Sequence, residues 1–388
     1  SMQGFCMTSS AEAPLAARVM QICLSDSWGG LEMYPGRIAR ELSRQGWEVH
    51  GMALRDTPVE SAFQRDGIQS LTFRSQIRAL LGVGRLMGYL RRHDIRVIHA
   101  HKSSDMRIMA LVASLSPESR VFFTEHMGVK KPKKDLYHRW AYSKARRVFS
   151  ISQASYAWNL AARPVKDDQL QQLYPGIDLH AYEQPLGDMR RVEIRRSLGL
   201  PEGVIAIALP GRVSRDKGHE VWVEALGRLR EIRGLPQWCG VVIGAASGKE
   251  AEPGGFKEQL IERVDQMGLS KQVVFAGFRD DLPTCLKAVE IACIPSVKEA
   301  FGLSVVESMA AGCSVIGSDS GAIPELIRGD RGRTADPLDP KDWAQTLAEL
   351  LCDAGLRKEL GEAASRWASK RFEPGEHVRT LTNFYERA

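Results

Sequence analysis

Residues 204–218 read Val204-Ile-Ala-Ile-Ala-Leu-Pro-Gly-Arg-Val-Ser-Arg-Asp-Lys-Gly218. An apolar run of buried-strand length enters a turn that carries the cations Arg212 and Lys217, and helical spacing begins at about His219. Strand, turn, helix is the repeating unit of a doubly wound sheet. The same signal recurs downstream at Gly240–Ile243, Val273–Ala276, Ile291–Ile294 and Ser314–Ser318. It also recurs upstream at Arg18–Leu24, Trp47–Ala53, Ile95–His99, Arg120–Phe123 and Val148–Ser152. Strands separated by 10–15-residue helical patterns specify parallel sheets covered by helices. The alternation breaks at Leu173-Tyr-Pro-Gly-Ile-Asp178 and Pro185–Gly187, which places an interdomain linker at about 176–190. Two α/β domains follow, 15–178 and 190–371, with a last segment from 372 to 388. At 388 residues the chain is too long for one ordinary core.

Composition narrows the class. With 44% apolar and 26% charged residues the chain is an ordinary globular protein, not a disordered or collagen-like one. No apolar run is long enough to span a membrane. Seven scattered cysteines without a CxxC pair argue against a disulfide framework and for a reducing cytoplasm. Ser1–Met2 reads as a cloning scar, and the arm Gln3–Pro14 lacks the pattern of a signal peptide. Residues 1–200 hold 29 Lys and Arg against 19 Asp and Glu, so the net charge of +6 conceals a strongly basic first half. Such a half suits an anionic partner: nucleic acid, a membrane surface or an anionic acceptor.

In open α/β sheets ligands bind beyond the carboxyl ends of the strands. A helix start carries unpaired N–H groups and about half a positive charge, so phosphate is the natural guest beside Arg212 and Lys217. A solvated basic loop is the bland alternative. The next strand runs into Pro295-Ser-Val-Lys-Glu299, then Ala300-Phe-Gly302, then a helix over Leu303–Ala311 stopped by Gly312. Glu299 in the loop and Glu307 in the helix flank one helix N-terminus. The amides of Ala300, Phe301, Gly302 and Leu303 can point at the same spot. A glutamate that merely favours the helix dipole is the competing reading.

Gly211-Arg212 with Lys217-Gly218, Glu299 with seven residues before Glu307, Met309-Ala-Ala-Gly312 and Gly321-Ala-Ile-Pro-Glu325 together resemble the retaining glycosyltransferases of family 4. The resemblance extends over most of the chain and is weaker in the first half. It implies the GT-B fold, two Rossmann-like doubly wound parallel-sheet domains facing across a cleft. The final helix, 372–388, would cross back to the first domain. It implies that Arg212 and Lys217 neutralise the leaving diphosphate, Glu307 binds the ribose, and Glu299 with Ala300–Leu303 binds sugar hydroxyls. Trp28-Gly-Gly-Leu-Glu32 resembles the family's first glycine-rich loop, which would bring Gly29 and Gly30 to diphosphate and acceptor. Thr124-Glu-His126 resembles its active-site histidine motif. Arg279 is a further candidate near base or diphosphate, against an exposed loop arginine. Two departures stand out: Pro175-Gly176 where the family often has Asn-Gly, and Gly321-Ala322 where Gly-Gly is familiar.

The expected function is transfer of a sugar from a nucleotide-diphosphate sugar, UDP first, to a hydroxyl of an anionic glycan or glycolipid, lipopolysaccharide core among them. No cofactor and no metal is expected: Asp-x-Asp is absent, and His99 and His101 lack a third ligand. The basic stretches Lys130–Arg147 and Arg74–Arg92 suit peripheral contact with the inner membrane face rather than nucleic acid. A nucleotide-sugar epimerase or a non-catalytic nucleotide or nucleic-acid binder would account for the same motifs. A dinucleotide oxidoreductase is disfavoured, because neither half carries GxGxxG after its first strand.

Overall fold

The computed structural model describes residues 17–128 and 132–387. The arm Gln3–Pro14 and the lysines Lys130 and Lys131 lie outside them. Among the described residues thirteen strands build two sheets. β1 (Arg18–Cys23), β2 (Glu48–Leu54), β3 (Gln69–Phe73), β4 (Val97–Ala100), β5 (Arg120–Glu125), β6 (Ala145–Ser150) and β7 (Leu170–Gln172) form the first, in the order β3-β2-β1-β4-β5-β6-β7. β8 (Ile205–Pro210), β9 (Trp238–Ile243), β10 (Val273–Gly277), β11 (Ile291–Ile294), β12 (Ser314–Ser318) and β13 (Arg333–Ala335) form the second, in the order β10-β9-β8-β11-β12-β13. The described pairings are parallel, so helices must bridge successive strands. Two Rossmann-like doubly wound domains result. By compactness the chain divides into one unit ending at Phe123, with Lys144–Arg146, and a second of Thr124–Ser143 with Arg147–Arg387.

Each of the ten strands read from the sequence is present. Their centres were apolar because both faces are covered: β8 runs from Ala206 to Leu209 at 0–1% exposure. Trp222 and Trp343 are fully buried in the apolar cluster under that sheet. At about 1.5–3 kcal/mol for each large side chain removed from water, such residues anchor the layers. The expected linker region holds two helices, His180–Glu183 and Asp188–Ser197. The last helix, Pro374–Arg387, sets Phe384 against Phe149 of β6 with ring centroids 5.3 Å apart. A side chain at Gly176 would meet Pro374 Cα and His377 Cβ at 3.0 Å, which explains the glycine at that departure from the family pattern.

Strand order positions the sites. In the second sheet β8 and β11 are neighbours and their onward connections depart in opposite directions, so the loops after them open at the switch point. β1 and β4 stand in the same relation in the first sheet.

Candidate active site

The loop after β8 still pairs with the end of β9: Gly211 N–H donates to Ile243 O at 3.0 Å and Val213 N–H to Ala245 O at 3.0 Å. Gly211 has φ +127°, a conformation open to glycine, and a Cβ there would lie 3.8 Å from Ser304 Oγ in the facing helix. Arg212 is exposed, while Val213 and Ser214 anchor the turn in the core. Ser214 Oγ donates to Asp216 at 2.6 Å. Burial raises the Asp216 pKa, but this bond and the cations of Lys217 and Arg212 outweigh it and hold the carboxyl below its usual range. Lys217 closes the turn, and Gly218 at φ +74° starts the helix His219–Glu231.

The loop after β11 lies against that turn. Val297 N–H donates to Asp216 O at 3.3 Å, and the Lys217 ammonium pairs with the Glu299 carboxylate. Both side chains are partly exposed, at 28% and 20%. Two residues read separately from the sequence thus form one pair. The backbone of this loop is held by its carbonyls: Glu299 O accepts from Ala322 N–H at 2.9 Å and Ala300 O from Ser152 Oγ at 2.6 Å. Among the described residues no protein acceptor takes the amides of Ala300, Phe301, Gly302 or Leu303. Gly302, at φ +96°, caps the helix Leu303–Ala310. Four donors, a partial positive charge and a paired lysine therefore sit at one strand–helix junction, a candidate anion site with a carboxylate beside it. Glu307 lies half-buried one turn into the same helix.

Gly321 shows why the second departure from the family keeps one glycine. At φ +63°, its Cβ would press on Glu299 N at 2.7 Å and Glu299 O at 2.5 Å, whereas Ala322 is simply buried. Glu325 is a residue whose role the sequence did not disclose. Its two oxygens accept from Gln153 N–H (2.9 Å) and Ala154 N–H (3.1 Å), and Oε1 also from the Tyr174 hydroxyl at 2.6 Å. It caps the helix Gln153–Ala162, which has no acidic residue of its own in its first turn. That absence was the available signal.

Arg279 follows β10 and grips Asp281 through two bonds of 2.7 Å. This fork raises the guanidinium pKa and lowers that of Asp281. The structure commits Arg279 to a neighbour on its own loop. His126 follows β5 and is half-buried. Burial, aided by nearby His377, pushes its imidazole down to about 3, so at neutral pH it is an uncharged hydrogen-bonding group. Beside it Glu125 and Arg163 form a buried ion pair at 2.7 Å.

In the first unit, Gly29 caps the helix Gly30–Arg44 with extended backbone. A Cβ at Gly30 would meet nothing within 4 Å, so no protein atom demands that glycine. Ser25 Oγ donates to the buried carboxylate of Glu32 at 2.8 Å, and Lys102 Nζ lies 3.4 Å from Ser25 Oγ. His99 and His101 are core residues: their rings stack at 4.3 Å, and His101 Nε2 bonds Gln21 at 2.7 Å.

Buried imidazoles give a pH prediction. Burial pushes His126 down to about 3 and His219 and His377 to about 4, against an ordinary value of about 6.5. Between about pH 6.5 and 4 the unfolded chain therefore binds more protons at these three sites, and stability falls as pH falls. Asp105, pushed up to about 7 by burial, and Glu125, also raised by burial, act in the opposite sense. The imidazole part is the drop in urea midpoint between about pH 7.5 and pH 5 that is lost when an imidazole is removed. His377→Gln should shrink that drop; an undiminished drop would contradict the assignment.

Two family models match the chain. Glycosyltransferase Family 4 covers residues 28–181, and Glycosyl transferases group 1 covers residues 190–367. The chain belongs to the family 4, group 1 glycosyltransferases. It is similar to the D-inositol 3-phosphate glycosyltransferase of Salinispora arenicola, 35% identical over 50% of this chain and 44% of that protein. The matched stretch thus spans less than half of that relative. The Corynebacterium efficiens protein of the same name is 26% identical over 93% of this chain and 91% of its own length. Among solved structures, a glycosyltransferase from Rickettsia africae superposes with a TM-score of 0.85 at 18% identity, covering 96% of this chain and 98% of that one. Anabaena HepE in complex with UDP superposes at 0.82 with 20% identity, covering 96% and 100%. At these identities the superpositions establish the GT-B fold of this glycosyltransferase. No helix among its described residues is long and apolar enough to cross a membrane.

Proposed function

We propose that this glycosyltransferase moves a sugar from a UDP-sugar to a hydroxyl of an anionic acceptor, with retention at the anomeric carbon. The observation that carries the reading is the apposition of Lys217 and Glu299 beside the unpaired amides of Ala300–Leu303. In this reading the diphosphate takes the helix N-terminus, Lys217 and the exposed Arg212, and Glu299 turns to the sugar hydroxyls. Glu307 binds the ribose. The sugar C1–oxygen bond to phosphate breaks as the acceptor oxygen bonds C1 from the same face. The acceptor proton passes to the departing phosphate oxygen. Lys217, Arg212 and the amides stabilise the charge that develops there, so no metal is assigned a part. His126 serves as a neutral hydrogen-bond partner of the sugar.

UDP as the nucleotide is favoured by the HepE complex. A phosphate-bearing acceptor is favoured by the names of the curated relatives and by the basic first half of the chain. Ile77 and Leu81, 70% and 76% exposed in one short helix beside Arg74, Arg78 and Arg85, suit contact with an anionic lipid surface, so a glycolipid such as lipopolysaccharide core fits that acceptor class. The test is a thermal-shift panel of UDP, GDP and ADP. UDP at about 100 times its dissociation constant stabilises by about 2.7 kcal/mol, a shift of several degrees, while GDP and ADP at equal concentration should do far less. Equal shifts with all three would overturn the uridine assignment. An epimeric nucleotide sugar formed without acceptor would overturn the transfer itself.

A further inference from the structure

We propose that Glu48, His50 and His93 form a binding site for a divalent zinc-type metal ion, at the end of the first sheet opposite its ligand-binding loops. Glu48 opens β2 and pairs in register with Arg18, which opens β1. The site therefore lies at the amino ends of these strands, away from the Trp28–Glu32 loop that leaves β1 at its carboxyl end. One ligand atom from each of the three residues lies within 4.8 Å of the others. His50 Nε2 is already 3.0 Å from Glu48 Oε1, and the His50 and His93 ring centroids are 4.8 Å apart. Two imidazoles and one carboxylate, with water in the fourth position, are a ligand set that suits zinc.

The surroundings orient these groups as partners of metal ligands do. Tyr89 Oη lies 2.8 Å from His50 Nδ1. If Nδ1 carries the proton and donates it to that oxygen, the Nε2 lone pair faces Glu48 and the metal. Arg18 holds the other Glu48 oxygen, Oε2, at 2.9 Å. That bond fixes the carboxylate and leaves Oε1 facing His50. His93 is half-buried and caps the C-terminal end of the helix Val83–Arg92, where the dipole favours a cation. A metal there would tie the start of β2 to the end of that helix, through His50 and His93, which lie 43 residues apart in the chain, and would act on stability rather than on transfer.

The experiment titrates the full chain, freed of any affinity tag, with zinc alone, and reads cobalt absorption in parallel. One zinc per chain and a raised melting temperature are expected. The cobalt spectrum should be tetrahedral and lack the near-ultraviolet thiolate band that a cysteine such as the exposed Cys352 would give. His93→Ala and Glu48→Gln should each weaken zinc by at least about tenfold, and Tyr89→Phe by roughly 10–100-fold through loss of the orienting bond. His93 and Glu48 are not core residues, so circular dichroism should report folded variants. Absence of zinc binding to the wild-type chain, a thiolate band, or affinity unchanged in both His93→Ala and Glu48→Gln would each overturn the proposal.

Discussion

Lys217→Ala should lower kcat/KM for sugar transfer by about 10²–10³-fold while leaving the fold intact. The magnitude is that of removing one preorganised group from charge developing in a transition state, about 2.7–4 kcal/mol. The fold should survive because the Lys217–Glu299 pair is partly exposed, and such pairs contribute about 0–1 kcal/mol to stability. The pairing also separates the two partners' roles. Glu299→Gln leaves the Lys217 ammonium without its carboxylate, so affinity for UDP should rise or hold while transfer falls. Glu307→Ala should instead weaken UDP binding. Steady-state transfer together with UDP titration of the three variants checks the assignment. Wild-type transfer in Lys217→Ala, or UDP affinity lost in Glu299→Gln, would show that the pair does not form the donor site.

Much of this was legible because the sequence elements carry their physics locally. A strand covered on both faces is a continuous apolar run, so β8, β11 and β12 could be read almost to the residue. The strands that sequence reading did not find are β3, β7 and β13, and all three stand at sheet edges. An edge strand is short or half-exposed: β13 is Arg333-Thr-Ala335 and β7 is Leu170-Gln-Gln172, with no apolar run to detect. The chemistry divides in the same way. Gly211, Lys217, Gly218 and Glu299 were readable because each sits at a fixed distance from a strand end. The ion pair between Lys217 and Glu299 was not, since it depends on β8 and β11 being neighbours in space. Arg279, a cation in a suggestive loop, likewise has a partner the sequence reading did not name, Asp281 two residues on. Glu325 was visible only as part of a motif, because its partners Gln153, Ala154 and Tyr174 lie about 150 to 170 residues earlier.

Gly218→Ala should be strongly disruptive at this site, in stability and activity together. Gly218 holds φ +74°, where an alanine costs about 1–2 kcal/mol by sterics alone. Its Cβ would also drive into Pro295, meeting the carbonyl carbon and the ring Cβ at 2.8 Å. Pro295 is the first residue after β11, and neither atom is the free end of a flexible side chain, so relief requires the two loops to part. Parting them moves Lys217 away from Glu299 and frees Val297 N–H from Asp216 O, which dismantles the anion site. The combined effect should be about 3 kcal/mol or more of lost stability. Transfer should fall at least as far as in Lys217→Ala, even at temperatures where the variant remains folded. Gly234→Ala supplies the control: it has a similar φ of +82°, but a Cβ there meets nothing within 4 Å. It should carry the backbone cost alone, with transfer unaffected. Denaturant melts of the two variants beside transfer assays isolate the contact with Pro295. Equal losses in both would mean that the approach of the β8 and β11 loops is not what Gly218 secures.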